Sequence, residues 1–174
     1  AGFSIAVGNE SYARNAFSIA IGDSSSALNT FSIAIVNESN ANNIYSIAIG
    51  KESLASGDYS IAIGNNATVR YNNSVALGVS SEADRDNSVA VGSKTFNRQI
   101  TGVAAGEKDN DAVNYKQLSD VETQVADNRK AIAELTTSSI VASKDHVKFG
   151  NALSGDVYKD SQGNMVLALD VDKY

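Results

Sequence analysis

The chain contains no cysteine, no proline and no tryptophan, and among its 174 residues it has one histidine, His146, and one methionine. With those residue types missing, a Cys/His metal site or a Ser-His-Asp triad inside one chain lacks its parts, and His146 reads as a lone exposed residue on a strand. Lack of cysteine is compatible with any compartment. Lack of proline beside thirteen glycines leaves the turns to Gly, Asn, Ser and Asp, which tolerate the left-handed backbone region. Aromatics are only 7% of the chain, and its 43% apolar content is mostly Ala, Ile and Val, which argues against a large globular core. Basic charge is scarce as well. A formal charge of −6, an isoelectric point near 4.7 and the absence of a dense Lys/Arg stripe argue against nucleic acid as a partner, because a phosphate backbone would be repelled. No apolar run reaches membrane-spanning length, and Ala1 to Gly8 lack the basic start of an export signal. A membrane anchor and any export signal are therefore expected outside this sequence.

What is abundant is repetition. Serines recur every 14 residues at Ser4, Ser18, Ser32, Ser46, Ser60, Ser74 and Ser88, opening the units SIAVG, SIAIG, SIAIV, SIAIG, SIAIG, SVALG and SVAVG without an insertion. Such a fixed period is the signature of a solenoid. Five residues after the Gly position stands a small residue, as in Ala13, Ala27, Ala41, Ala55 and Ala83, so each unit carries one apolar strand and one weaker, polar strand. Turn formers separate them: Gly8-Asn9, Gly22-Asp23 and Gly64-Asn65 on one side, Arg14-Asn15, Asn42-Asn43 and Gly57-Asp58 on the other. Two short strands and two turns make one coil. Val36 stands where the other units have Gly, and the turn there is expected to be altered without breaking the roll.

Side chains alternate across a strand, so Ser4, Ala6 and Gly8 point one way and Ile5 and Val7 the other. A 14-residue coil is thin and can be filled only by small side chains, which sends the branched residues outward. The outward stripe comprises Ile5, Val7, Ile19, Ile21, Ile33, Ile35, Ile47, Ile49, Ile61, Ile63, Val75, Leu77, Val89 and Val91, flanked by Phe3, Phe17, Phe31, Tyr45 and Tyr59 at the same parity. With coils about 4.8 Å apart the stripe runs roughly 30 Å, and each buried aliphatic contributes on the order of 1.5 to 3 kcal/mol. Soluble monomers seldom expose so much apolar surface, so self-association through this face is expected. The competing arrangement places the stripe in the core of a larger monomeric roll and turns the Ala/Ser face to water.

After Val91-Gly92 the register fades, and residues 98–111 read as a connector. Asp111 is the expected N-cap of a helix starting near Ala112. Along that helix Leu118, Val121, Val125, Asn128, Ile132 and Leu135 follow a heptad seam with one polar layer. A helix of this length needs partner helices. Asn128 has two readings, a register-setting polar residue or an amide ligand for a small anion on a symmetry axis. From Lys144 the alternation returns, with Val147 and Phe149, then Val157, then Met165, Leu167, Leu169 and Val171, and with Gly155 and residues 160–164 as turn signals. Three short strands, sharing a core among chains, are expected. The domain organisation is thus 1–97, repeat region; 98–111, connector; 112–138, coiled coil; and 139–174, a small β-rich element. Asp109, Asp111, Asp156, Asp160, Asp170 and Asp172 follow neither an EF-hand loop nor a calcium-binding nonapeptide, and read as capping and solvating residues. The glycines occur once per coil and form no phosphate cradle.

These residues resemble the YadA-like trimeric autotransporter adhesins. The repeat Ser74 to Gly78 with Ser81 and Ala83 is similar to that family's 14-residue head repeat. The stretch Arg98-Gln99-Ile100, Val103-Ala104, Gly106, Asp111-Ala112-Val113-Asn114 and Gln117-Leu118 is similar to its neck. The resemblance covers about residues 1 to 118. It implies a mainly β protein with a coiled coil: a trimeric left-handed parallel β-roll, a neck crossing between chains, a short trimeric coiled coil and then the small β-rich element. It further implies a homotrimer at the cell surface of a Gram-negative bacterium, anchored in the outer membrane by a barrel outside this sequence. Family stalk layers hold chloride on inward Asn groups, which extends to Asn128 as the one implied ligand site, although Arg129 stands where the family usually has Thr. Family repeats place Asn before the first Ser, as at Asn73 and Asn87, whereas five earlier units carry Phe or Tyr.

The function implied is non-catalytic, multivalent attachment to extracellular-matrix proteins of the collagen, fibronectin or laminin class, with self-aggregation a further family property. An immunoglobulin-binding member of the same family and a passive spacer or fibre are the alternatives. A trimeric acyltransferase solenoid would need hexapeptide repeats and a catalytic histidine between subunits, and neither is seen.

Overall fold

The computed structural model describes residues 2–138, 140–142, 146–149 and 153–170, with side chains described over 2–135 and 158–166. The chain divides into two units, Ala1–Ile100 and Thr101–Tyr174.

In the first unit, the apolar strand of each repeat forms β1 (Ile5–Val7), β3 (Ile19–Ile21), β5 (Ile33–Ile35), β7 (Ile47–Ile49), β9 (Ile61–Ile63), β11 (Val75–Leu77) and β13 (Val89–Ala90). The polar strand forms β2 (Tyr12–Ala13), β4 (Ser26–Ala27), β6 (Asn40–Ala41), β8 (Leu54–Ala55), β10 (Thr68–Val69) and β12 (Glu82–Ala83). Odd-numbered strands stack in parallel into one sheet and even-numbered strands into a second. Each residue pairs with its equivalent one repeat away, as in Ile19 with Ile33 and Ala20 with Ala34, so the sequence period becomes a spatial stack.

The interior is built from alanine and serine. Ala20, Ala34, Ala48 and Ala62 from the first sheet and Ala27, Ala41 and Ala55 from the second have no solvent exposure, nor do Ser18, Ser32, Ser46 and Ser60. Serine can be buried because each hydroxyl donates to a carbonyl of its own turn: Ser18 Oγ to Asn15 O at 2.6 Å, Ser25 Oγ to Gly22 O at 2.9 Å, Ser46 Oγ to Asn43 O at 2.6 Å. No buried side-chain polar atom lacks a partner among the described residues, as a dry interior requires. Asparagine amides tie successive coils together, Asn15 Nδ2 donating to Leu28 O at 2.8 Å and Asn29 Nδ2 to Asn42 O at 2.7 Å. This interior excludes the competing arrangement with the Ala/Ser face in water.

The glycine turns explain why Val36 is unusual. Gly22 and Gly50 have φ of 134° and 136°, and a Cβ added at Gly22 would lie 2.6 Å from the Val36 carbonyl carbon. Val36 occupies the same turn at φ 89°, so the turn is altered, as expected, and holds a β-branched residue in a region it seldom adopts. Replacing Val36 by Gly is expected to stabilise the head by about 1 kcal/mol, seen as a higher melting temperature at unchanged trimer mass.

The second unit begins with an irregular segment closed by side chains. Asp111 Oδ2 accepts the Glu107 and Lys108 amides, each at 3.0 Å. Asp111 is therefore not the N-cap, and α1 spans Tyr115–Ser138, starting three residues later than the expected Ala112. The cap is Asn114, whose Oδ1 accepts from Gln117 N at 3.1 Å while Gln117 Oε1 accepts from Asn114 N at 3.2 Å. That reciprocal pair is a capping box. Gln117 also bonds Gly106 through both its amide atoms, at 3.0 and 3.2 Å, and Asn114 Nδ2 donates to Val103 O at 3.3 Å, so one pair caps the helix and holds the segment before it. Asn114→Ala is expected to cost about 1 to 2 kcal/mol, detectable by chemical denaturation.

The two amides hold the Asp111 carboxyl below the usual range. A depressed folded-state value means the stabilisation is present above the unfolded carboxylate range and is lost as pH falls through the folded value. The protection of the Glu107 and Lys108 amides, taken as their exchange rate relative to an unstructured chain at the same pH, is accordingly expected to fall on acidification, and to be lost at all pH in Asp111→Ala.

The chain closes with an antiparallel sheet in chain order, β14 (Ile140–Ala142), β15 (His146–Phe149), β16 (Leu153–Lys159) and β17 (Met165–Asp170). Four strands appear where three are expected. The additional one, Ile140–Ala142, follows the helix too closely and is too short to show alternation. Asp160 organises the β16–β17 turn, its Oδ1 accepting from Asn164 N at 2.8 Å and Gln162 N at 2.9 Å. The Asn164 side chain, donating to Oδ2 at 3.1 Å, lowers the Asp160 pKa most, and those amide bonds lower it further. Lys144, Val171 and Asp172 lie outside the described residues, as do the side chains of His146 and Asp156.

Candidate functional site

The outer face of the first sheet carries the expected stripe. Parallel pairing lines Ile5, Ile19, Ile33, Ile47, Ile61, Val75 and Val89 into one row and Val7, Ile21, Ile35, Ile49, Ile63 and Leu77 into another. Val91 lies just past β13. The rows stay partly in water within one chain, with Ile21, Ile63 and Leu77 each 39% exposed. They form a flat aliphatic surface with no charged side chain in either row, so the arrangement can do no acid–base chemistry and can bury well.

Beside it run the flanking aromatics, in an arrangement that side-chain parity alone does not specify. Phe17, Phe31, Tyr45 and Tyr59 stack ring on ring, with centroids 5.0, 4.8 and 5.2 Å apart and planes within 9°. All four sit at turn residues with positive φ, 54° to 60°. The spacing of the aromatics was visible in the sequence. The ring stacking depends on a turn geometry that alternation alone does not encode.

The last coil ends in a third arrangement. Arg98 donates to Val91 O at 2.6 Å and to Val79 O at 2.5 Å, with its guanidinium 4.5 Å from the Phe96 ring centroid. Carbonyls that another coil would otherwise satisfy are met by one side chain, which closes an edge that would invite further pairing.

In the second unit, Leu118, Val121 and Val125 are 51%, 54% and 43% exposed on α1, and Ile132 and Leu135 continue their spacing. Asn128 is exposed on the same helix. Among the described residues there is no cluster of His, Asp and Glu suited to a metal, and no helix long and apolar enough to cross a membrane.

Comparison with known proteins agrees with this geometry. Models of the YadA head domain repeat match residues 2–25, 13–35, 41–67 and 72–95, and a model of the coiled stalk of trimeric autotransporter adhesin matches residues 99–141. The crystal structure of the collagen-binding domain of the Yersinia adhesin YadA is 36% identical, with a TM-score of 0.61, over 70% of this chain and 76% of that one. The chain belongs to the YadA-like trimeric autotransporter adhesins. A C-terminal YadA-like domain from Burkholderia pseudomallei is 26% identical over 51% of this chain and 54% of that one, with a TM-score of 0.47, a likeness too distant to argue from. No curated protein matches the chain. As a YadA-like adhesin, the molecule has a role in attachment.

Proposed function

We propose that this chain is the head, neck and first stalk segment of a homotrimeric adhesin displayed on the outer surface of a Gram-negative bacterium, and that its head binds collagen-class matrix protein. The observation that carries the reading is the 36% identity to a collagen-binding head over most of that head's length, joined to an aliphatic face that needs covering. In this reading three copies meet through the rows of Ile5 to Val91 and through the α1 seam of Leu118, Val121, Val125, Ile132 and Leu135. The parts are a head at 1–97, a neck at 98–111 that crosses between chains, a stalk segment within 112–138 and a small β-rich element at 139–174. Asn128 forms the polar stalk layer, with chloride as its ligand on the axis. The membrane anchor is a separate segment.

Attachment is multivalent, each chain adding a weak contact, so avidity exceeds the single-site affinity. The test is a solid-phase panel of collagen, fibronectin, laminin and immunoglobulin against the purified trimer. Saturable collagen binding, lost when the trimer is dissociated, is the expected result. Binding to immunoglobulin alone would move the protein to another branch of the family, and binding to nothing in the panel would make the head a spacer.

A further inference from the structure

From the second coil on, the residue before the first serine lies in the left-handed region whatever its identity: φ is 60° at Phe17, 59° at Phe31, 54° at Tyr45 and 55° at Tyr59, and 51° and 55° at Asn73 and Asn87. Asparagine adopts this conformation readily, and bulky side chains do not. The fold itself is satisfied by Asn, since Asn73 Nδ2 donates to Asn87 Oδ1 at 2.7 Å and continues the column without strain. The aliphatic rows are equally indifferent, because Asn73 and Asn87 border Val75 and Val89 as Phe17 borders Ile19. Neither the roll nor the face proposed to meet sister chains explains why consecutive coils hold aromatic rings in a disfavoured backbone state.

We propose that the stacked column Phe17, Phe31, Tyr45 and Tyr59 is the surface on which the head seats an imino-acid-rich triple helix, the chemistry of collagen. The proposal rests on the collagen reading above and names the residues that serve it. Because the rings cover one another's faces, they offer solvent their edges and two phenol hydroxyls, and each ring is 40% to 56% exposed. No member of the column is charged, which suits pyrrolidine rings better than an acidic or basic peptide. Polyproline-type chains dock on aromatic-lined surfaces because their backbone is already ordered and makes no hydrogen bonds within one chain. The tyrosine hydroxyls supply donors for backbone carbonyls. Three steps between centroids span roughly 15 Å, the length of about five residues at ~3.1 Å each, so the column is long enough for more than one triplet of the ligand.

The experiment uses the trimeric chain and a synthetic Gly-Pro-hydroxyproline triple-helical peptide, with fibrillar collagen in parallel. Replacing all four residues by the Asn used in later coils (F17N, F31N, Y45N and Y59N) is expected to weaken binding at least tenfold, with trimer mass unchanged and the melting temperature retained. Unaltered binding by a folded variant overturns the column while leaving the collagen reading intact. Loss of the trimer overturns it too, since the column would then belong to the contact between chains. Failure of the unsubstituted protein to bind either collagen probe removes the collagen reading and the proposal with it. Should the fourfold variant not fold, Asn73→Tyr with Asn87→Tyr decides: lengthening the column is expected to tighten binding severalfold, and an unchanged affinity contradicts the proposal.

Discussion

Ile49→Asp is expected to convert the protein from a trimer into dissociated chains. Ile49 lies in the middle of its row, paired with Ile35 on one side and Ile63 on the other, and is half-covered even in the isolated chain. In the proposed assembly three such positions approach one another, so the substitution would bury three carboxylates among aliphatic side chains. An uncompensated buried charge costs on the order of 3 kcal/mol or more per chain, and repulsion among the three adds to it. The side chain points away from the coil interior, so the roll of an isolated chain has no reason to break. Sedimentation should therefore show a smaller species while the β-sheet circular dichroism signal persists. A trimer of unchanged stability would place the contact between chains elsewhere.

Ala48→Leu is expected to act in the opposite manner, destroying the fold and not the assembly alone. Ala48 has no exposure and sits in register between Ala34 and Ala62, within a core of buried serines and of apolar residues that are all alanine except for Val69. Added branches have no cavity to enter, and the stacking of coils fixes the spacing above and below. Overpacking of a tight core costs about 1 to 3 kcal/mol even where neighbours can move, and here the interior consists of backbone, alanine, which has no rotamer to change, and serines whose hydroxyls are held on turn carbonyls. Loss of cooperative unfolding and of sheet signal is the expected readout. Val69 shows that one strand of the second sheet accepts a somewhat larger side chain. Thus Ala55→Val, next to Val69 in register, is expected to be far milder than Ala48→Leu.

Much of the head was legible because one physical constraint sets both period and parity. A coil of 14 residues leaves a thin interior, and the serine and alanine positions of the first strand give its inward face directly, as Ser18 and Ala20 confirm by their complete burial. The unusual turn at Val36 could be read from a single missing glycine. Less was legible where two residues compete for one role. Asp111 and Asn114 are both good N-caps, and the choice between them depends on whether the Glu107 and Lys108 amides are already claiming the Asp111 carboxylate, which is a matter of loop shape. Strand Ile140–Ala142 is not legible in the sequence because it follows the helix directly and three isolated residues carry little alternation. The ring stack and the Arg98 contacts with Val79 and Val91 are tertiary facts, set by coil spacing and by the return of the chain after β13.

Where the outward aliphatics go is tested most directly by the solution mass of the intact chain in equilibrium ultracentrifugation. Three times the 18.2 kDa chain mass, independent of concentration into the low micromolar range, is the expected result. A stable, well-folded species at 18.2 kDa would contradict it, because the rows from Ile5 to Val89 would then stand in water with nothing to cover them.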